Sequence, residues 1–132
     1  MQVDIEESLR ADEFVALSKA CGWGVNKQWD LEQVERALGL TTNFVVRDDQ
    51  QRLIGCGRVL SDRLLVSTEA DIFVHPDHRM QGIGRAIMEE IKLEFADTSI
   101  YFGSQPDAEG FYEKLGFERG ITLFQGRFSR PE

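Results

Sequence analysis

The stretch "VHPDHRMQGIGRAIMEEI", Val74 to Ile91, decides how the chain is read. A strand-like run stops at Pro76, a basic turn follows, and Gly82 and Gly84 stand one residue apart before an amphipathic run. Ile83, Ile87, Met88, Ile91 and Phe95 recur at helical spacing, with Arg85, Glu89 and Lys92 opposite, so the pattern predicts a helix over 83–96. The first turn of a helix leaves N–H groups without intrahelical partners, and the dipole adds partial positive charge there. A phosphate binds at such a point when no Cβ blocks it, and Arg79 and Arg85 can add charge-assisted contacts. A P-loop is excluded because no Gly-Lys pair occurs, and a dinucleotide fingerprint because position 87 is Ile87. The plainer alternative is a tight strand–helix connection with no ligand.

Outward from this stretch the pattern gives further elements. "VDIEE" alternates as a strand. "ADEFVALSKACG" reads as a helix with Asp12 as cap and Gly22 as stop, and "DLEQVERALGL" as a second, capped by Asp30 and ended by Gly39. "NFVVRDDQQRLIGCGRVLS" is a hairpin, in which the lone Gly55-Cys56-Gly57 is best explained by a bulge. "EADIFVHP" and "SIYFGS" are strands, "DAEGFYEKLGF" is a short helix with Gly116 at C′, and "TLFQGRF" closes as a strand. The order is β-α-α-β-β-β-α-β-α-β. Hairpins beside strand–helix–strand units imply a mixed α/β sheet with helices on both faces. No linker or repeat interrupts it, so one domain is expected over 1–132.

Composition narrows the function classes. A formal net charge of −8 leaves no basic stripe for nucleic acid and disfavours an anionic membrane surface. The apolar runs are too short to span a bilayer, and no signal or lipidation pattern is visible, so a cytoplasmic location is the expectation. Cys21 and Cys56 form neither a disulfide framework nor a metal motif. His75 and His78, around Pro76 and without a third ligand at motif spacing, are read as loop residues, and no metal is expected.

"VHPDHRMQGIG" followed by "FYEKLGF" resembles the GNAT superfamily of acyl-CoA-dependent N-acyltransferases. Arg79, Gly82 and Gly84 match its pyrophosphate pattern, Q/R-x-x-G-x-G/A, and the second block matches the helix after its splayed strand. The resemblance implies a mostly antiparallel twisted sheet with a central splay. It implies that the loop Arg79, Met80, Gln81, Gly82, Ile83, Gly84 and Arg85 holds the coenzyme pyrophosphate. Phe73, Val74 and His75 would bind the pantetheine arm through their main chain, in the wedge between their strand and strand 99–104. Tyr112 falls where many members place a general acid near the sulfur. Many members also carry Asn seven residues before that tyrosine; here the position is Gln105, followed by Pro106.

The implied reaction is attack of a primary amine on acetyl-CoA, with acetyl-CoA as co-substrate, a small amine as acceptor, and a homodimer as an open possibility for assembly. An alkylammonium of pKa ~10 must first lose a proton. Glu69 and Asp71 are the candidate bases; on a regular strand they share a face, and a bulge would change which one looks into the pocket. A strand N–H near Val74, unpaired by the splay, would serve the oxyanion. Trp23 and Trp29, which also read as core aromatics, would wall the acceptor side, with Arg58 nearby. Carboxylates and aromatic faces favour a cationic amine; an Arg58 facing the pocket would favour a carboxylate-bearing one. A peptide or protein acceptor, and a non-catalytic acyl-CoA sensor on the same fold, are the rival readings.

Overall fold

A computed structural model describes residues 1–131. The chain divides into two compact units, Met1–Phe102 and Gly103–Glu132.

The first unit holds β1 (Asp4–Ile5), α1 (Ala11–Ala20), α2 (Leu31–Leu38), β2 (Thr42–Arg47), β3 (Leu53–Ser61), β4 (Val66–Val74), α3 (Ile83–Glu94) and β5 (Ser99–Tyr101). The strands form one sheet in the order β1-β2-β3-β4-β5. Every pairing is antiparallel except β4 with β5, which is parallel. Helix α2 begins on Asp30, whose carboxylate accepts from the Gln33 N–H at 3.2 Å. Helix α1 is capped two residues earlier than expected: Arg10 is its N-cap, and Asp12 sits within the first turn, where its charge suits the positive helix end.

Each sheet face carries its own helices. Leu9, Phe14, Leu17 and Leu38 from the α1/α2 side cluster with Val45, Cys56 and Phe73. On the other face α3 buries Ile83, Ile87, Met88 and Ile91, the residues its periodicity selects, with Phe95 just beyond its end. Each such side chain contributes about 1.5–3 kcal/mol of burial. Gly55 and Gly57 explain how closely α3 approaches. A Cβ at Gly55 would meet Ile83 Cγ2 at 2.6 Å, and one at Gly57 would meet Ile87 Cγ2 at 2.6 Å. A bulge does occur nearby, since the register slips at Ile54, but what the two glycines supply is floor space for the helix.

The second unit contains a 3₁₀ turn (Pro106–Ala108) and α4 (Glu109–Lys114). The Gly116 N–H donates to Glu113 O and the Phe117 N–H to Tyr112 O, a Schellman ending with Gly116 at φ 93° in the expected C′ position. The expected last strand over 122–128 is not formed. β-propensity and alternation alone do not make a strand without a partner's hydrogen bonds, and this segment leaves Leu123, Phe124 and Phe128 exposed.

Candidate active site

Strands β4 and β5 pair only at Val66↔Ser99, Ser67↔Ile100 and Thr68↔Tyr101. β5 then stops, while β4 continues to Val74. Beyond Thr68 the β4 edge is therefore unpaired, and Glu69 is the first β4 residue past the last β5 pairing. The His75 N–H donates to Ile54 O on β3 at 2.9 Å. Backbone groups alternate along a strand, so those of Val74 and Ile72 point away from β3, into the open edge. Among the three residues expected to offer their main chain there, Val74 does so. Phe73 pairs with Cys56, and the His75 N–H is taken by β3. Ile72, which the sequence did not mark, presents its main chain on the same side as Val74.

The two candidate bases part company. Arg58 faces Asp71 and Val59 faces Glu69, so Ala70 is an extra residue, a bulge. Opposed residues share a face and neighbours on β3 do not. Asp71 thus lies on the α1 side, where Arg58 Nε donates to its Oδ2 at 2.6 Å and the Arg58 guanidinium stands 5.7 Å from the Phe14 ring centroid. Glu69 turns to the α3 face. It is only 6% exposed, and its Oε1 is buried with no hydrogen-bond partner. Burial, chiefly, and the Asp71 carboxylate push its pKa up to about 8, against a smaller opposing pull from Arg58. Arg58 and Asp71 neutralise each other, so neither offers its full charge to an acceptor.

Behind β4, Pro76–His78 forms a 3₁₀ turn in which His75 Nδ1 accepts from the Asp77 N–H at 3.1 Å. Met80 has φ 63° and is fully exposed, and Gln81 is exposed beside it. Gly82 adopts φ 81° as the N-cap of α3. Its carbonyl accepts the first helical bond, from the Ala86 N–H, leaving the amides of Ile83, Gly84 and Arg85 without intrahelical acceptors. No side chain caps this end, and its first turn carries no acidic residue. The Ile83 side chain is buried under the helix, so only its amide can serve a ligand. Arg79 and Arg85 are exposed, and Arg79 Nε reaches Val74 O at 3.4 Å.

The tryptophan segment follows α1. Trp29 Nε1 donates to Gly24 O at 2.9 Å, and its ring occupies the space a Cβ at Gly24 would need. Lys27 Nζ lies 4.4 Å over the Trp29 ring, so that aromatic face already holds a cation. Trp23 is 53% exposed. The Cys21 thiol, at the head of this segment, donates to Val74 O at 3.2 Å, a contact no sequence pattern signals. Tyr112 lies in the second unit, on α4, edge-on to Phe111 and Phe117 with centroids at 5.0 and 6.5 Å.

A β4 edge left open beyond its parallel pairing, a bare α3 N-terminus and a buried carboxylate on that strand are the features of an acyltransferase-type α/β fold. Comparison with known proteins agrees. The acetyltransferase (GNAT) domain profile matches residues 40–119, and the chain belongs to that family. The uncharacterized N-acetyltransferase ycf52 of Porphyra purpurea is 34% identical over 87 residues, covering 64% of this chain and 50% of that one. The histone acetyltransferase TAP1 of Glycine max is 32% identical over 89 residues, covering 64% of this chain and 38% of that one. The chain thus spans about half or less of the length of these curated relatives. A GNAT-family acetyltransferase from Streptococcus pneumoniae superposes with a TM-score of 0.73 at 21% identity, covering 96% of this chain and 98% of that one.

Proposed function

We propose that this chain is an N-acetyltransferase that transfers the acetyl group of acetyl-CoA to the primary amine of a small molecule by direct attack. Glu69 carries the reading: a buried carboxylate with an unpartnered oxygen, where the β4–β5 pairing ends. Such a group costs stability and clusters at functional sites. A passive acyl-CoA sensor has no use for it. The residues around it fit the coenzyme. The α3 amides and Arg79 and Arg85 suit a pyrophosphate, and the open Val74 and Ile72 edge suits an amide-bearing arm.

When bound, acetyl-CoA supplies an activated thioester. Glu69 is the base: with a pKa near 8, it can take a proton from an ammonium of pKa ~10, directly or through water. The Val74 N–H faces the open edge and serves as donor to a developing oxyanion. Tyr112 is the donor that returns a proton to the sulfur, the role its position in the family pattern implies. Asp71 holds Arg58 rather than acting as base.

The test is acetyl-CoA turnover over an amine panel, with free thiol as readout. At least one amine is expected to release thiol, and Glu69→Gln to lower kcat by ~10²–10⁴-fold. Turnover with no amine, or an unaffected Glu69→Gln, overturns the assignment. The name of the Glycine max relative favours a second reading, in which the amine belongs to a protein. A histone-tail peptide belongs in the panel for that reason.

A further inference from the structure

Three parts of the first unit meet on one atom, the Val74 carbonyl oxygen. Cys21 Sγ reaches it at 3.2 Å from the head of the tryptophan segment, and Arg79 Nε at 3.4 Å from the glycine loop. The oxygen itself belongs to the open edge of β4. A carbonyl has two lone pairs, so both acceptor positions are in use. An amide-bearing ligand lying along this edge can bond the oxygen only after one donor leaves. The Arg79 contact is the longer of the two, and its residue is exposed. A phosphate at the α3 N-terminus offers the guanidinium a stronger, charge-assisted bond. Arg79 is therefore the donor that departs, and Cys21 the one that stays.

We propose that Cys21 is a positioning residue, through which the tryptophan segment is tied to β4 and responds to coenzyme binding. The proposal rests on acetyl-CoA binding along this edge. The thiol acts through Val74 and touches no reacting atom. Cys21 also packs against the apolar cluster of Phe14, Leu17 and Phe73, so packing and hydrogen bonding must be separated. Cys21→Val keeps the apolar volume and removes the donor, while Cys21→Ser keeps a donor.

The chain has two tryptophans, Trp23 and Trp29, both in this segment, so tryptophan emission, excited beyond the absorption of Tyr101 and Tyr112, reports on the segment. Acetyl-CoA is titrated into the wild type and both variants, by calorimetry for binding and by fluorescence for the segment, with melting temperatures recorded. In the wild type a saturable fluorescence change should track the heat. Cys21→Val should bind acetyl-CoA within about threefold of wild type, the scale of one net hydrogen bond, yet lose the change. Cys21→Ser should restore it. Binding without a fluorescence change in the wild type overturns the proposal and leaves the coenzyme reading standing. A full change in Cys21→Val, or a Cys21→Ser that behaves like Cys21→Val, also overturns it. No heat from the wild type and no rise in its melting temperature with acetyl-CoA defeat the coenzyme reading and this proposal with it.

Discussion

Ionising Glu69 in place strips a carboxylate of water and gives its Oε1 no partner in return. Its pKa rises from an ordinary 4.5 to about 8, so between these values the folded chain holds a proton that the unfolded chain has released. By linkage, this group's contribution to stability falls as pH climbs from about 4.5 towards 8 and levels off above it. Glu69→Gln removes that dependence. Urea melts should show the variant gaining on the wild type from pH 5 to pH 8.5; equal gains at both would mean the carboxyl is not buried in solution. The same proton governs turnover. With saturating amine, kcat of the wild type should rise through the region near pH 8, and Glu69→Gln should lose that limb. Glu6 runs the other way, held below its usual range by the Arg47 hydrogen bond, so that its stabilisation is lost on acidification.

At the scale of elements, what the sequence made legible was local. The glycine loop, the α3 face, the Asp30 cap and the Gly116 ending each depend on residues within a turn or two of one another. The partition of Glu69 from Asp71 was not legible, because it turns on the bulge at Ala70, which only the register with β3 reveals. The Cys21–Val74 contact joins residues 53 apart in sequence. Gly55 and Gly57 looked like bulge residues because the approach of α3 is tertiary. Gly57→Ala should therefore destabilise by about 1–3 kcal/mol through overpacking against Ile87, measurable by denaturant melts, without an α3 shift at its N-terminus. A neutral outcome would mean the helix rides higher on the sheet. Gly82→Val, forced to φ 81°, should distort the cradle and weaken acetyl-CoA binding at least tenfold by calorimetry, where one charge-assisted phosphate bond is worth about 1.5–3 kcal/mol.

For the whole molecule, the family accounts for the sheet order and for helices on both faces. Arg58 and Asp71 cancel, and Lys27 occupies an aromatic face, which removes most of the electrostatic basis for preferring either a cationic or an anionic amine. Acetyl-CoA should raise the melting temperature, since a ligand that binds only the folded state stabilises by about 2.7 kcal/mol at a hundredfold excess over Kd. The central claim is that the coenzyme lies along the open edge of β4 with its phosphates on α3. Backbone amide NMR during an acetyl-CoA titration tests it most directly. The largest shifts are expected at the amides of Ile72 and Val74 and at Ile83, Gly84 and Arg85, with Phe73 moving less because it is bonded to β3. Shifts centred elsewhere, with these amides unmoved at saturation, would contradict it.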